Sequence, residues 1–164
     1  AAGHEVAIVT GSGTGTHDID AGGGVFTELQ VGSYIFCDAD YDRIQLTPDG
    51  TRRFHNALFV LTRVVSNRQN GFVTTDAGSK CFALDGPPPP VAWGAPEGAT
   101  YRMFGDQFGR IDLPAGANGL PLGTLVACIV PHCDPNVNLY DVYHCVRGDR
   151  LVDVWPVEAR GRVA

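Results

Sequence analysis

Leu125-Val-Ala-Cys-Ile-Val130 runs without a break into Pro131-His-Cys-Asp-Pro135-Asn-Val-Asn-Leu-Tyr140. The first six residues are apolar and partly β-branched, which predicts a buried strand. Within three residues the strand end then presents an imidazole, a thiol and a carboxylate at His132, Cys133 and Asp134. Pro131 and Pro135 restrict the backbone on either side. Nitrogen, sulfur and oxygen donors this close together point to a metal site. In an extended segment, residues two apart share a face, so His132 and Asp134 converge on one ion while Cys133 points away. A second arrangement pairs His132 and Cys133 with His144 and Cys145 as a tetrahedral zinc set. Adjacent strand residues point to opposite faces, which counts against it. A third arrangement needs no ion: His132 is hydrogen-bonded, Asp134 caps a turn and Cys133 packs.

Working outward, the same alternation of short apolar runs and turns recurs. Ala57 to Val65 is a long apolar run rich in β-branched residues, and Phe72 to Thr75, Tyr101 to Phe104 and Gly109 to Leu113 are shorter strand-like pieces. Asp141 to Val146 and Leu151 to Val154 read as a closing hairpin across Arg147-Gly-Asp149. Val25 to Gln30 and Ser33 to Asp38 read as strands joined by Val31-Gly32. No stretch carries a clear helical apolar period, and 21 Gly and 11 Pro in 164 residues favour turns over long helices. The fold expected is mainly β, a rolled antiparallel sheet or a β-barrel.

Glu5 to Thr10 reads as a candidate buried strand that enters Gly11-Ser-Gly-Thr-Gly-Thr16. A glycine-rich turn after a strand lets amides approach an anion, and Ser12, Thr14 and Thr16 add hydroxyls. Neither the Walker nor the Rossmann glycine spacing is present, and a flexible loop satisfies the same composition. Lys80, the single lysine, lies in Asp76-Ala-Gly-Ser-Lys80 and reads as a solvated loop residue. Gly86 to Pro90 is a stiff extended connector. The net charge of −6, with no basic cluster beyond Arg52-Arg53, argues against a nucleic-acid partner. No apolar run approaches the roughly 18 residues of a membrane helix. Five cysteines at irregular spacing, with no CxxC pair, predict reduced thiols and a cytoplasmic setting. The chain opens at Ala1 almost directly on a strand, as a piece of a longer protein does.

Several blocks together resemble the C-terminal part of D-threonine aldolases and, more loosely, the eukaryotic-type D-serine dehydratases. They are Val9-Thr-Gly-Ser-Gly-Thr-Gly-Thr16, Val25 to Phe36 with Asp38-Ala-Asp-Tyr41, Asp76 to Lys80, Pro131 to Asp141, and Val154-Trp-Pro-Val157 with Ala159-Arg-Gly161. The resemblance implies an enzyme of the alanine-racemase type, in which an N-terminal (β/α)8 barrel binds pyridoxal 5'-phosphate through a lysine. A C-terminal β domain supplies a divalent cation. Residues 1–20 would then be the last strand and phosphate-binding turn of the barrel, in keeping with phosphate sites after strands 7 and 8, and residues 21–164 the metal-binding β domain. Ser12, Gly13 and Thr14 look like cofactor-phosphate contacts, and His132 and Asp134 look like metal ligands. The dehydratases have a cysteine where this chain has Asp134, so the carboxylate favours the aldolase branch and Mn²⁺ or Mg²⁺ over Zn²⁺. Lys80 does not match the cofactor lysine, and no catalytic residue is assigned within the chain. Family members often carry an acidic-His pair before the glycine of Asp106-Gln-Phe-Gly109; here that histidine is missing. The implied substrate is D-threonine or another D-3-hydroxy-amino acid, cleaved to glycine and an aldehyde. The implied partner is a barrel from the same or a second protomer, in a homodimer. The alternatives are a D-serine dehydratase-like lyase and a non-catalytic metal-binding or assembly domain.

Overall fold

The structure is a computed structural model and describes residues 3–162. Ten strands and two short α-helices run in the order β1 (Thr10–Gly11), α1 (His17–Gly22), β2 (Glu28–Leu29), β3 (Phe59–Ser66), β4 (Phe72–Thr75), β5 (Val91–Trp93), β6 (Thr100–Met103), β7 (Gly109–Asp112), β8 (Leu125–Ile129), α2 (Cys133–Val137), β9 (Val142–Arg147) and β10 (Arg150–Pro156). Six strands form one antiparallel sheet in the order β5-β8-β3-β4-β7-β6. β3 organises it. Its first half pairs with β8, from Phe59 opposite Ile129 to Arg63 opposite Leu125, and its far end pairs with β4. The register slips between Val64 and Ser66, and a bulge of this kind bends the strand. The mainly β expectation therefore holds, as a curled antiparallel half-barrel.

Alternation builds the core. Along β3, Val60, Thr62 and Val64 are buried while Leu61, Arg63 and Val65 face out, the period of two that a half-buried strand needs. Val73, Ile111, Val126, Cys128 and Val130 meet them, with Phe82 and Tyr101 packed ring to ring at 5.1 Å. Cys133 belongs to the same cluster, so the start of α2 is anchored in the core. No helix among the described residues is long and apolar enough to cross a membrane.

Several local expectations change. Glu5 to Thr10 is not buried: Val6 and Ile8 are exposed, and only Thr10–Gly11 pairs, in parallel with Glu28–Leu29. Ser33 to Asp38 is not a strand but a 3-10 turn over Ser33–Ile35, followed by Cys37 at a left-handed φ of 46°. The backbone there turns back on itself: the amides of Phe36 and Cys37 both go to the Ser33 carbonyl, and just beyond, the Asp38 carboxylate takes the amides of Asp40 and Tyr41. Residues 133–137 are helical rather than extended. A helix leaves its first-turn amides without partners, so Pro135 there costs no hydrogen bond. Val91–Trp93 is a strand that the proline run before it obscured. The closing hairpin forms as expected, with Gly148 at φ 61° in its tight turn.

Phe82 closes the core beneath the loop that leads to the site, so Phe82→Ala is expected to lower unfolding stability by about 3–5 kcal/mol, read by urea denaturation.

Candidate metal and cofactor site

β8 ends where Pro131 turns the chain, and His132 follows in an extended conformation (φ −143°, ψ 120°) as the residue preceding α2. Asp134 lies two residues further on, in the first turn of the helix, where the aligned peptide dipoles favour a carboxylate. This start of a helix, not the two-residue spacing of a strand, brings the two side chains together: His132 Nε2 is 3.5 Å from Asp134 Oδ2. Cys133 does not turn fully away. Its side chain is buried, yet Sγ lies 3.3 Å from the same Asp134 oxygen. Ser33 Oγ donates to that oxygen as well, at 3.1 Å.

The elements beneath hold this turn still. Asp38 is fully buried, and its Oδ2 accepts the amide of Cys133 at 2.7 Å while Oδ1 accepts those of Asp40 and Tyr41. Asn136, also buried, accepts the amide of Ala83 at 2.8 Å. On the other side of the imidazole, His132 Nδ1 is 2.8 Å from Asp85 Oδ2. Partial burial pulls the His132 pKa down, but the hydrogen bond and charge of Asp85, with Asp134 and Asp38 behind them, raise it overall above 6.5. The bond to His132 holds the Asp85 carboxyl below its usual range. Burial, and then hydrogen bonds to Asp134 and Asp38, push the Cys133 thiol well up.

The donor chemistry fits a hard or intermediate divalent cation. Ligand bonds of about 2.1 Å put neighbouring donors of one ion about 3–3.5 Å apart, and the observed Nε2 to Oδ2 separation is 3.5 Å. Both side chains reach solvent, at 35% and 65% exposure, which leaves the remaining coordination positions open to water or substrate. Among the described residues no group of three or more His, Cys, Asp or Glu is placed to hold a metal ion, so His144 and Cys145 of β9 do not complete a zinc set. The features of the ion-free arrangement are present too, since His132 is hydrogen-bonded and Cys133 packed.

The glycine-rich turn is built differently. Ser12 sits at a left-handed φ of 69°, and its hydroxyl lies 3.2 Å from that of Thr16. A Cβ on Gly13 would meet nothing within 4 Å, so its backbone is open to an incoming group. Thr14 is buried and its hydroxyl oxygen takes the amide of Tyr34, which locks the turn against the 33–35 segment. Of the three residues, Ser12 and Gly13 present accessible groups, and the set fits an anion such as a phosphate at the turn. Lys80 is exposed in a 3-10 turn, and its amide donates to the Asp106 carbonyl. That contact, with Gly78 pressed against the backbone of Gly105 to Phe108, docks the Asp76–Lys80 loop on the β6–β7 turn.

Asp38, Asp85 and Ser33 carry no site signal of their own in the sequence. Ser33 and Asp38 fell within a recognisable block, whereas Asp85 did not and is separated from His132 by 47 positions.

Comparison with known proteins follows the same lines. Residues 57–146 match the family described as "Putative serine dehydratase domain". The chain is 40% identical over 153 residues to D-threonine aldolase of Arthrobacter sp, covering 93% of this chain and 39% of that protein. It is 36% identical over 159 residues to 3-hydroxy-D-aspartate aldolase of Paracoccus denitrificans (strain Pd 1222), covering 94% and 40%. The crystal structure of D-threonine aldolase from Filomicrobium marinum superposes with a TM-score of 0.88 at 36% identity, over 99% of this chain and 43% of that one. The chain thus spans about two fifths of the length of the relatives it matches.

Asp38→Ala strips the acceptor from three amides at once, and an orphaned buried donor costs about 1–3 kcal/mol. The variant is expected to lose about 3 kcal/mol of unfolding stability in urea, and Asp38→Asn, which keeps an acceptor oxygen, distinctly less.

Proposed function

This chain belongs to the serine dehydratase domain family, and from that premise we propose that it is the C-terminal part of a pyridoxal-phosphate- and divalent-metal-dependent lyase. The reaction is cleavage of D-threonine or a related D-3-hydroxy-amino acid to glycine and an aldehyde. The observation that carries the reading is the His132 Nε2–Asp134 Oδ2 pair, 3.5 Å apart on one solvent-facing turn. The names of the relatives, D-threonine aldolase and 3-hydroxy-D-aspartate aldolase, supply the substrate class. His132 and Asp134 would hold the cation, with Mn²⁺ or Mg²⁺ favoured by the carboxylate oxygen donor. Ser12, Gly13 and Thr14 would meet the cofactor phosphate.

When bound, the cofactor supplies an electron sink for the substrate carbanion and the cation supplies Lewis acidity toward the substrate hydroxyl. The chain's own residues do the holding. His132 presents a ring nitrogen, Asp134 a carboxylate oxygen, and Ser33 donates to that carboxylate and steadies its rotamer. Asp38 fixes the backbone on which both donors stand. The glycine-rich turn, braced by Thr14 on Tyr34, offers Ser12 and the Gly13 backbone to an anion.

In this reading residues 1–20 belong to a cofactor-binding barrel and residues 21–164 to the β domain. The exposed Val6 and Ile8 support it, since a barrel strand would bury them. The β9–β10 hairpin supports a barrel partner from the same or a second protomer. It leaves Val146, Leu151, Val154 and Trp155 exposed, and an isolated two-stranded ribbon is marginal in water. Five free thiols accord with a reducing, cytoplasmic setting.

The test joins this chain to the cofactor-binding portion of a family member and assays D-threonine. Glycine is the expected product; pyruvate from D-serine instead would assign dehydratase chemistry, and activity untouched by His132→Ala with Asp134→Ala would sink the metal assignment. A cation competes with the proton for His132, whose pKa is raised. Mn²⁺ affinity measured by titration should therefore be full at alkaline pH. It should fall as pH drops through a value above 6.5, earlier than for an ordinary histidine.

A further inference from the structure

Asp85 lies outside every strand and helix, yet its loop is tied on both flanks to the segment that carries His132. Before it, Asn136 of α2 takes the amide of Ala83 at 2.8 Å, and the Tyr140 hydroxyl donates to the Cys81 carbonyl at 2.9 Å. Between these two ties Phe82 is buried in the core. After it, Gly86 lies flat on Pro131, where an added Cβ would come within 2.8–2.9 Å of the proline's Cβ, carbonyl carbon and oxygen. A half-exposed aspartate on a surface loop would ordinarily be mobile. Here Ala83 before it and Gly86 after it are fixed, and its carboxylate is delivered to His132 Nδ1 at 2.8 Å.

We infer that Asp85 is the positioning residue of the donor pair: it takes the Nδ1 proton of His132 as a hydrogen bond and so leaves the lone pair on Nε2, turned toward Asp134. The inference rests on the reading of His132 and Asp134 as a cation site. Its physics is simple. A neutral imidazole has one N–H and one lone pair, and the partner of one nitrogen decides the state of the other. A carboxylate can only accept, so each flanking aspartate calls for the proton on its own side. Asp85 is at 2.8 Å, whereas Asp134 stands at 3.5 Å and already receives Ser33 Oγ and Cys133 Sγ. The shorter bond wins, the proton stays on Nδ1, and Nε2 faces Asp134 as a ligand. The reverse tautomer would put two lone pairs against each other at Asp85 and an N–H in the place of the cation. An outer carboxylate of this kind also makes the ring a better donor.

The test uses the full chain, labelled with 15N and free of metal, at a pH above the ring's titration. In the unaltered chain the His132 ring should carry its proton on Nδ1. Asp85→Ala should shift it toward Nε2 and weaken Mn²⁺ binding, followed by direct titration, by about 10- to 100-fold. Asp85→Glu, which restores a carboxylate, should recover much of both. A ring protonated at Nε2 in the unaltered chain would overturn the assignment. So would an Asp85→Ala chain with unchanged tautomer or unchanged Mn²⁺ affinity. An unaltered chain that takes up no Mn²⁺ would instead sink the cation reading, while the metal-free tautomer measurement still decides the role of Asp85.

Discussion

A carboxylate with no exposure to solvent is expensive unless its lone pairs are filled, and Asp38 fills them with three backbone amides. Two of those amides belong to its own turn; the third is that of Cys133, at the start of α2. One side chain thereby ties the turn that follows the 33–38 segment to the start of α2 and satisfies the first orphan amide of the helix that carries Asp134. The arrangement of the donor pair depends on it. Without an acceptor at that point, the first turn of the short helix would be held only by the burial of Cys133 and the tie of Asn136 to Ala83.

Around this anchor the site is assembled from segments with different tasks. The sheet supplies a rigid end at β8 and buries Cys133, so the base of the turn cannot drift. The 81–86 loop braces the imidazole from one side, and Ser33 braces the carboxylate from the other. The donors themselves remain open to solvent, which a site for a small polar substrate needs. Rigid support beneath open donors is the division of labour expected where geometry must be held while ligands exchange. The β9–β10 hairpin shares none of this bracing, and its exposed apolar side chains set it apart from the core sheet.

The sheet was legible in the sequence wherever alternation and length agreed. β3, β4, β6, β7, β8 and the terminal hairpin all fall where apolar runs and turn residues place them. The 33–38 and 133–137 segments were misread because both look extended by composition, whereas the amides of Phe36 and Cys37 are captured by the Ser33 carbonyl and that of Cys133 by the distant Asp38 carboxylate. A reading by periodicity counts apolar positions and cannot see that capture. His132 and Asp134 stood out because two donor types sit within three residues. Asp85 did not, because a single aspartate before a proline run looks like any loop residue, and only the fold carries it to the imidazole. Pro135, read as a stiffener of an extended segment, is equally at home in the first turn of a helix.

The bonds that shape the donor turn join residues far apart along the chain: 101 positions for Ser33 to Asp134, 95 for Asp38 to Cys133, 53 for Ala83 to Asn136 and 47 for Asp85 to His132. Each closes a long loop, and the entropy of closure falls due before the bond is gained. β3 and β8 pair across 62 to 70 positions as well, but there the strands share a ladder, whereas each tie of the turn is a single hydrogen bond. The same separation works in reverse under native conditions. Loosening of a single surface loop releases one tie without unzipping a strand, so the local opening free energy of the turn lies well below that of the sheet. Order at the His132–Asp134 turn and order of the fold are two different equilibria in this protein, and a binding partner that gathers the loops would tighten the first without altering the second.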